Sequence, residues 1–377
     1  MLKKVMFFLP SLGGGGAERT VIQLANSFAE QGLNIHLAVC DLNGDKAKLL
    51  PEVSPKIELV NFNCGRVVNS ITPLKNKMKA EQYDCLVATQ THTNIVAGIA
   101  KKIASVNTRL IFREVSTPSK NMKLQGIAKF VLKTLVNWTY PMAQQVICVS
   151  KGVETDFREY YSYKKNNLST IYNPVLDDAY FAKLEAPVSH RFFNAHDLKN
   201  SNKVILAVGR LTEAKNFGFL IRSFKALHDQ HPDIRLIILG EGELRAEFEA
   251  LIAELNLTDV VDLPGFDPNP YAYFKYASLF VLSSNWEGLP GVLIQALASK
   301  VKVVSTDCPS GPMEILHHAQ FGLLVECNDQ AGLTQAMHQA IFADYVRYSD
   351  RDFEAHIQQF HKETVLKQYL HMMESAS

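Results

Sequence analysis

No apolar run in the 377 residues is long enough to cross a bilayer, so a membrane-spanning segment is not expected. An excess of charge of one sign is also missing: 39 Lys plus Arg stand against 38 Asp plus Glu. Nothing is left over to grip a polyanion, so nucleic acid is a poor expectation and any basic function must be local. The six cysteines (Cys40, Cys64, Cys85, Cys148, Cys308, Cys327) stand far apart and form no C-x-x-C pair. Most fall in apolar runs where a thiol packs as a small hydrophobe, which fits a reducing cytoplasm. The histidines show no H-E-x-x-H, and there is no G-x-S-x-G elbow. "MLKKVMFFLPSL" mimics a signal peptide, but its apolar part is short and no small-x-small site follows, so it is expected to be a first strand.

Alternation is what the chain does have. "KVMFFL", "NIHLAVC", "KIELVNF", "YDCLVAT", "RLIFREV" and "QVICVS" read as strands, with amphipathic helical patterns such as Ala17 to Gln31 between several of them. "IYNPVLDDAYF" and a polar stretch to "LKNSNK" read as a hinge. The rhythm then restarts with "KVILAVGR", "IRLIILGEG", "VVDLPGF", "LFVLSS", "KVVSTD" and "GLLVE". This predicts an α/β protein of two Rossmann-like doubly wound units in tandem, at 1–172 and 173–357, with a helix at 358–377 returning to the first. Ligands of such sheets sit beyond the carboxyl ends of the strands, so two facing units would make a cleft lined by strand-end loops.

The motifs gather at those ends. Gly13 to Gly16 separate the first strand from a helix and leave bare amides for an anion, or simply a tight turn. They do not fit G-x-G-x-x-G, since the third position is Glu18 or Arg19, and no G-K-[ST] follows. "VGRLTEAKN" sets Arg210 and Lys215 past a strand, where two cations can hold a diphosphate without a metal; a solvated basic loop is the plainer reading. In "SSNWEGLPGVLIQALAS", Pro290 suits the first turn of a helix and Gly291 keeps its entrance open. Glu287 can there reach a ligand or cap the helix. "STDCPSGPMEIL" repeats the design with Ser310, Gly311 and Pro312. Metal-dependent nucleotide-sugar enzymes usually carry D-x-D after a strand; the only one here, Asp350 to Asp352, lies in a polar stretch near the C-terminus.

"GGGGAER", "GRLTEAKN", "LGEGEL", "LPGF", "WEGLPGVLIQAL" and "STDCPSGPMEIL" occur in the order and spacing of retaining glycosyltransferases of family 4, and over nearly its whole length the chain resembles that family. The resemblance implies a GT-B fold and metal-free transfer of a sugar from a nucleotide diphosphate, UDP being the expected one, to an acceptor hydroxyl. The donor is then a substrate and no cofactor is expected. It implies that Arg210 and Lys215 hold the diphosphate and Glu287 the donor-sugar hydroxyls. Gly265 and Phe266 would face the base, Gly288, Leu289, Pro290 and Gly291 would line the donor pocket, and Gly15 and Gly16 would approach the donor from the first domain. A first-domain histidine near the donor sugar is implied too, with His92 in "TQTHTN" the best candidate and Glu114 a weaker acceptor-side one. The family's second glutamate, eight positions after Glu287, is here Gln295, which still accepts a ribose hydroxyl bond but without charge.

Members often extend lipid-linked glycans at the inner face of the bacterial membrane. "NMKLQGIAKFVLKTLVNWTY" sets Lys123, Lys129 and Lys133 beside Ile127, Phe130, Leu135 and Trp138, a pattern suited to a bilayer surface or to a packed core face. The expectation is a cytoplasmic, peripheral protein of lipopolysaccharide or capsule assembly with a lipid-linked or surface glycan acceptor. Two alternatives stand beside it. One is an NAD-dependent oxidoreductase with Asp41 on the ribose; the other is a non-catalytic glycan-binding protein of the same fold.

Overall fold

A computed structural model describes residues 2–121, 125–193, 203–343, 345–346 and 348–374. The chain divides into two compact units, Met1–Pro174 with Lys362–Ser377, and Val175–His361. Each is built on one parallel sheet.

In the first unit the strands are β1 Lys4–Leu9, β2 Asn34–Val39, β3 Glu58–Asn61, β4 Cys85–Thr89, β5 Arg109–Glu114, β6 Gln145–Cys148 and β7 Leu168–Thr170. Their order in the sheet is β3-β2-β1-β4-β5-β6-β7. Central strands covered on both faces must be apolar on both, which is why "MFFL" and "LVAT" are wholly buried. Phe7 and Phe28 stack across the sheet-to-helix layer at 6.4 Å. The C-terminal helix Lys362–Glu374 belongs to this unit: Val365, Leu366, Tyr369 and Met373 enter the same core as Phe7 and Phe28. Its Tyr369 hydroxyl accepts from Nε of the fully buried Arg113 at 2.6 Å.

The second unit holds β8 Lys203–Val208, β9 Ile234–Leu239, β10 Val261–Gly265, β11 Leu279–Leu282, β12 Val303–Thr306 and β13 Leu323–Val325, in the order β10-β9-β8-β11-β12-β13. In both sheets the chain winds outward from the first strand and then reverses. The reversal lies between β1 and β4 in one unit and between β8 and β11 in the other. Helices on either side of such a point diverge and leave a crevice at the carboxyl ends. No helix among the described residues is long and apolar enough to cross a membrane.

Two of the glycines marked by the motifs serve packing between loops. A Cβ on Gly240, at φ 143°, would lie 1.9 Å from the Gly209 carbonyl oxygen, and one on Gly242 would lie 2.3 Å from that of Leu211. The loops after β8 and β9 therefore touch backbone to backbone, joined by Leu211 N–H donating to the Glu241 carbonyl at 2.9 Å.

Candidate functional site

The second unit's crevice is built by two loops. Residues 209–216 leave β8, and residues 283–290 leave β11. Asn285 N–H donates to the Ala214 carbonyl at 2.8 Å, the Asn285 side chain donates to the Glu213 carbonyl, and Ser283 Oγ donates to the Lys215 carbonyl at 2.9 Å. With its backbone fixed, Lys215 sends Nζ to 2.5 Å from Glu287 Oε1, and Ser284 Oγ donates to the same oxygen at 2.7 Å. Both side chains are less than one-fifth exposed. A half-desolvated ammonium and carboxylate attract more strongly than a surface pair would.

Arg210, on the same loop, is exposed. The motif's two cations thus arise from one strand end, with one of them already against Glu287. Glu287 N–H donates to the Pro309 carbonyl at 3.1 Å, which ties the "STDCPSGP" loop to the same crevice. Gly311, at φ 103°, is required there: a Cβ would lie 2.5 Å from Pro290 Cδ. Pro290 caps the helix Gly291–Ala298, whose first amides open toward this loop cluster. Gly288 and Leu289 form the turn into it, Leu289 being buried. Gln295 is half-buried on the second turn, and its backbone carbonyl accepts from the Tyr180 hydroxyl at 2.6 Å. At the far side Gly265 takes φ 97° at the end of β10, and the Phe266 ring beyond it is 65% exposed. Burial pushes the Cys308 thiol well above its ordinary range, so it packs beneath the site as an inert hydrophobe.

In the first unit the four glycines divide. Gly14 holds φ 104°; the place of a Gly15 Cβ is filled by the Glu18 carboxylate, 2.3 Å away; and Gly16 faces open space. Glu18 turns back over the start of its own helix, Gly16–Glu30, so the bareness of Gly15 is used inside the loop. His92 is exposed in the first turn of the helix Thr91–Ala104 that follows β4. Glu114, expected on the acceptor side, is instead 1% exposed and sealed. It accepts from Thr91 Oγ1 at 3.0 Å, Asn94 Nδ2 at 2.8 Å and the Tyr140 hydroxyl. Burial pushes its carboxyl up to about 7 against the pull of those donors. Asp41, the oxidoreductase alternative's ribose ligand, accepts from Lys46 Nζ at 2.6 Å and from Asn43. Sequence reasoning missed Arg113 and the Thr91–Asn94–Tyr140 set, because buried polar groups carry no periodic signal.

On the helix Gly126–Thr139, Leu132, Val136 and Thr139 pack inward. Ile127 is 83% and Phe130 70% exposed, with Val131 and Trp138 also outward; Leu135 is half-buried. Lys129 and Lys133 lie 4.8 and 5.5 Å from the Tyr160 ring, and Lys102 lies 5.0 Å from that of Trp138. Lys123 falls outside the described residues.

Residues 14–178 match the family described as Glycosyltransferase Family 4, and residues 188–349 that described as Glycosyl transferases group 1. A Campylobacter jejuni N-acetylgalactosamine-N,N'-diacetylbacillosaminyl-diphospho-undecaprenol 4-alpha-N-acetylgalactosaminyltransferase is 32% identical over 358 residues, 92% of each chain. A second C. jejuni enzyme, an alpha-1,4-N-acetyl-D-galactosaminyltransferase of a diphospho-undecaprenol-linked glycan, is 24% identical over 89% of this chain and 88% of its own. Among solved structures, Anabaena HepE in complex with UDP superposes with a TM-score of 0.75 at 18% identity, covering 100% of both chains. A glycosyltransferase from Rickettsia africae gives 0.79 at 17% identity over 100% of this chain and 98% of that one.

Proposed function

The chain belongs to the family 4 glycosyltransferases and is a glycosyltransferase of GT-B fold, and from that premise we propose a retaining, metal-independent transfer of a sugar from UDP to a hydroxyl of a lipid-linked glycan. The observation that carries this reading is the pairing of Lys215 with Glu287 at the second unit's reversal point, with Arg210 exposed beside it. The chemistry asks for two things in one place. A departing diphosphate must be neutralised, and a sugar hydroxyl must be held while the glycosidic bond breaks. Arg210 offers a planar fork to phosphate oxygens and Lys215 a mobile point charge. Glu287 accepts hydroxyl bonds once Lys215 turns to the phosphates. Fixed cations and helix amides that oppose developing charge supply the main stabilisation in such a reaction.

Phe266 and the Gly265 backbone serve the base, Gly288 to Gly291 the donor sugar and phosphates, and Gln295 the ribose. Gly15, Gly16 and His92 belong to the first unit, which takes the acceptor. UDP as the nucleotide is supported by the UDP complex of the structural neighbour. A diphospho-undecaprenol-linked acceptor and an N-acetylhexosamine donor are supported by the Campylobacter relatives. This displaces the oxidoreductase alternative.

The exposed Ile127, Phe130, Val131 and Trp138, flanked by Lys102, Lys129 and Lys133, suit an anionic bilayer surface, where such an acceptor resides. The test of the reaction is a screen of UDP-, GDP- and dTDP-sugars for nucleotide release with a short-chain polyprenyl-diphosphate N-acetylgalactosaminide as acceptor. Release from a UDP-sugar that depends on the acceptor supports the proposal. Turnover with none of them overturns it.

A further inference from the structure

Between β4, ending at Thr89, and the helix Thr91–Ala104 there is a single residue, Gln90. Its backbone stands at φ 83°, ψ 145°. The residues that end helices elsewhere in this unit with positive φ, such as Gln82 (47°, 64°), Ser105 (54°, 47°) and Ser162 (53°, 42°), sit in the left-handed helical region at modest cost. Gln90 does not. Positive φ with extended ψ is territory held almost only by glycine and costs roughly 1–3 kcal/mol for another residue.

The strain persists because the surroundings determine it from both sides. Gln90 N–H donates to the Arg113 carbonyl at 3.1 Å, and its own carbonyl accepts from Asn94 N–H at 3.0 Å and Thr93 Oγ1 at 2.7 Å. Below the turn the buried Glu114 holds Thr91 and Asn94, and Asn94 Nδ2 also reaches the Arg113 carbonyl. These bonds bury Thr91, Thr93 and Asn94, and leave residue 90 half-buried and residue 92 exposed.

A glycine would make the same turn without strain, so the turn itself does not call for glutamine. Glutamine adds a primary amide. That amide does not cap the helix behind it, and no hydrogen bond engages it among the described residues. Its place is singular as well. β4 flanks the reversal point, and its neighbour across that point is β1, from which Gly13–Gly16 depart.

We propose that the Gln90 side-chain amide is a sugar-binding group of the first unit, held toward the crevice between β1 and β4 to bond adjacent hydroxyl or acetamido groups of the acceptor glycan. One acceptor oxygen and two donor hydrogens on a planar frame match a pair of neighbouring sugar substituents. Glu114 acts through Thr91 and Asn94 as a positioning residue for that turn. The inference rests on the reading that the first unit takes the acceptor, and the tests below fail separately from it.

The direct test needs no turnover. Protein carrying ¹⁵N in its glutamine side chains is titrated with the methyl α-glycosides of N-acetylgalactosamine, galactose and glucose, the Gln90 signal being assigned by its loss in Gln90→Gly. Movement of that signal with one of the sugars supports the proposal. A signal that stays still with all three, at the highest soluble concentration, overturns it.

Two variants add the kinetic arm. Gln90→Ala keeps the strain and Gln90→Gly removes it, so the glycine variant melts several degrees higher than the alanine variant. Both raise the acceptor KM about tenfold with the donor KM unchanged, the size of one lost hydrogen bond. A structural role alone predicts the melting difference with an unchanged acceptor KM, and that result contradicts the proposal.

Discussion

Lys215 Nζ and Glu287 Oε1 meet at 2.5 Å across the point where the second sheet reverses, each less than one-fifth exposed. On the proposed reading the cation that would hold the diphosphate is paired with the carboxylate that would hold the sugar, so donor binding would exchange one partner of Lys215 for another. Glu287→Gln keeps the shape and removes the charge. It is expected to lower kcat/KM by at least about a hundredfold, roughly 2.7 kcal/mol of transition-state stabilisation. The melting temperature falls by a few degrees as Lys215 loses its partner. Steady-state kinetics and a thermal melt on the same sample check both.

Among the described residues the Arg210 side chain has no hydrogen bond or ion pair, and it is exposed on its loop. Arg210→Ala therefore keeps the wild-type melting temperature while turnover drops about a hundredfold or more. Wild-type activity is expected to be unchanged by EDTA. Activity lost in EDTA and restored by Mg²⁺ or Mn²⁺ refutes the metal-free grip.

Gln295 stands on the second turn of the helix that opens at Gly291, with Tyr180 fixing its backbone. A carboxylate there bonds ribose hydroxyls more strongly than an amide, roughly 1.5–3 against about 1 kcal/mol. Gln295→Glu is expected to lower the donor KM several-fold at constant kcat, since ground and transition states gain alike. Neutral effects of both Gln295→Glu and Gln295→Ala place the ribose elsewhere.

Glu114 gives a pH signature. Its folded carboxyl titrates near 7 against an ordinary 4.5, because burial outweighs the Thr91, Asn94 and Tyr140 donors. The folded protein thus keeps a proton that the unfolded chain releases. Stability from this group is full below the ordinary value and is lost as pH rises toward the folded one. Chemical denaturation from about pH 5 to about pH 8 should show Glu114→Gln gaining on wild type as pH rises, by at most about 1.4 kcal/mol per pH unit. A difference that stays flat with pH removes the assignment.

Phe130 and Ile127 are outward and exposed. The Ile127→Ser/Phe130→Ser pair should leave the melting temperature within a degree or two and abolish co-sedimentation with anionic liposomes at low salt. Wild type that fails to sediment ends the claim of surface binding.

Much of this was legible in the residues. Central parallel strands must be apolar on both faces, so "KVMFFL" and "IRLIIL" announced themselves and their alternation with helices gave two doubly wound sheets. β7, three residues of Leu168–Thr170 with a polar face, carries too little pattern to be seen. The placement of Arg210, Lys215 and Glu287 on the loops after β8 and β11 was readable because glycine and proline mark strand ends. The meaning of Gly240, Gly242 and Gly15 was not, since composition cannot say whether a missing side chain makes room for a ligand, a loop or Glu18. Glu114 looked available because charge is normally outside. Gln90 was invisible for another reason: its significance lies in φ and ψ, which the bonds of Arg113, Thr93 and Asn94 impose from a distance.

The most direct measurement is ¹H NMR of the transfer product formed from UDP-N-acetylgalactosamine and a short-chain polyprenyl-diphosphate N-acetylgalactosaminide in the presence of EDTA. The account predicts UDP release matched by a new anomeric proton with the α configuration of the donor. A β-configured product, or no product until a divalent metal is returned, would contradict it.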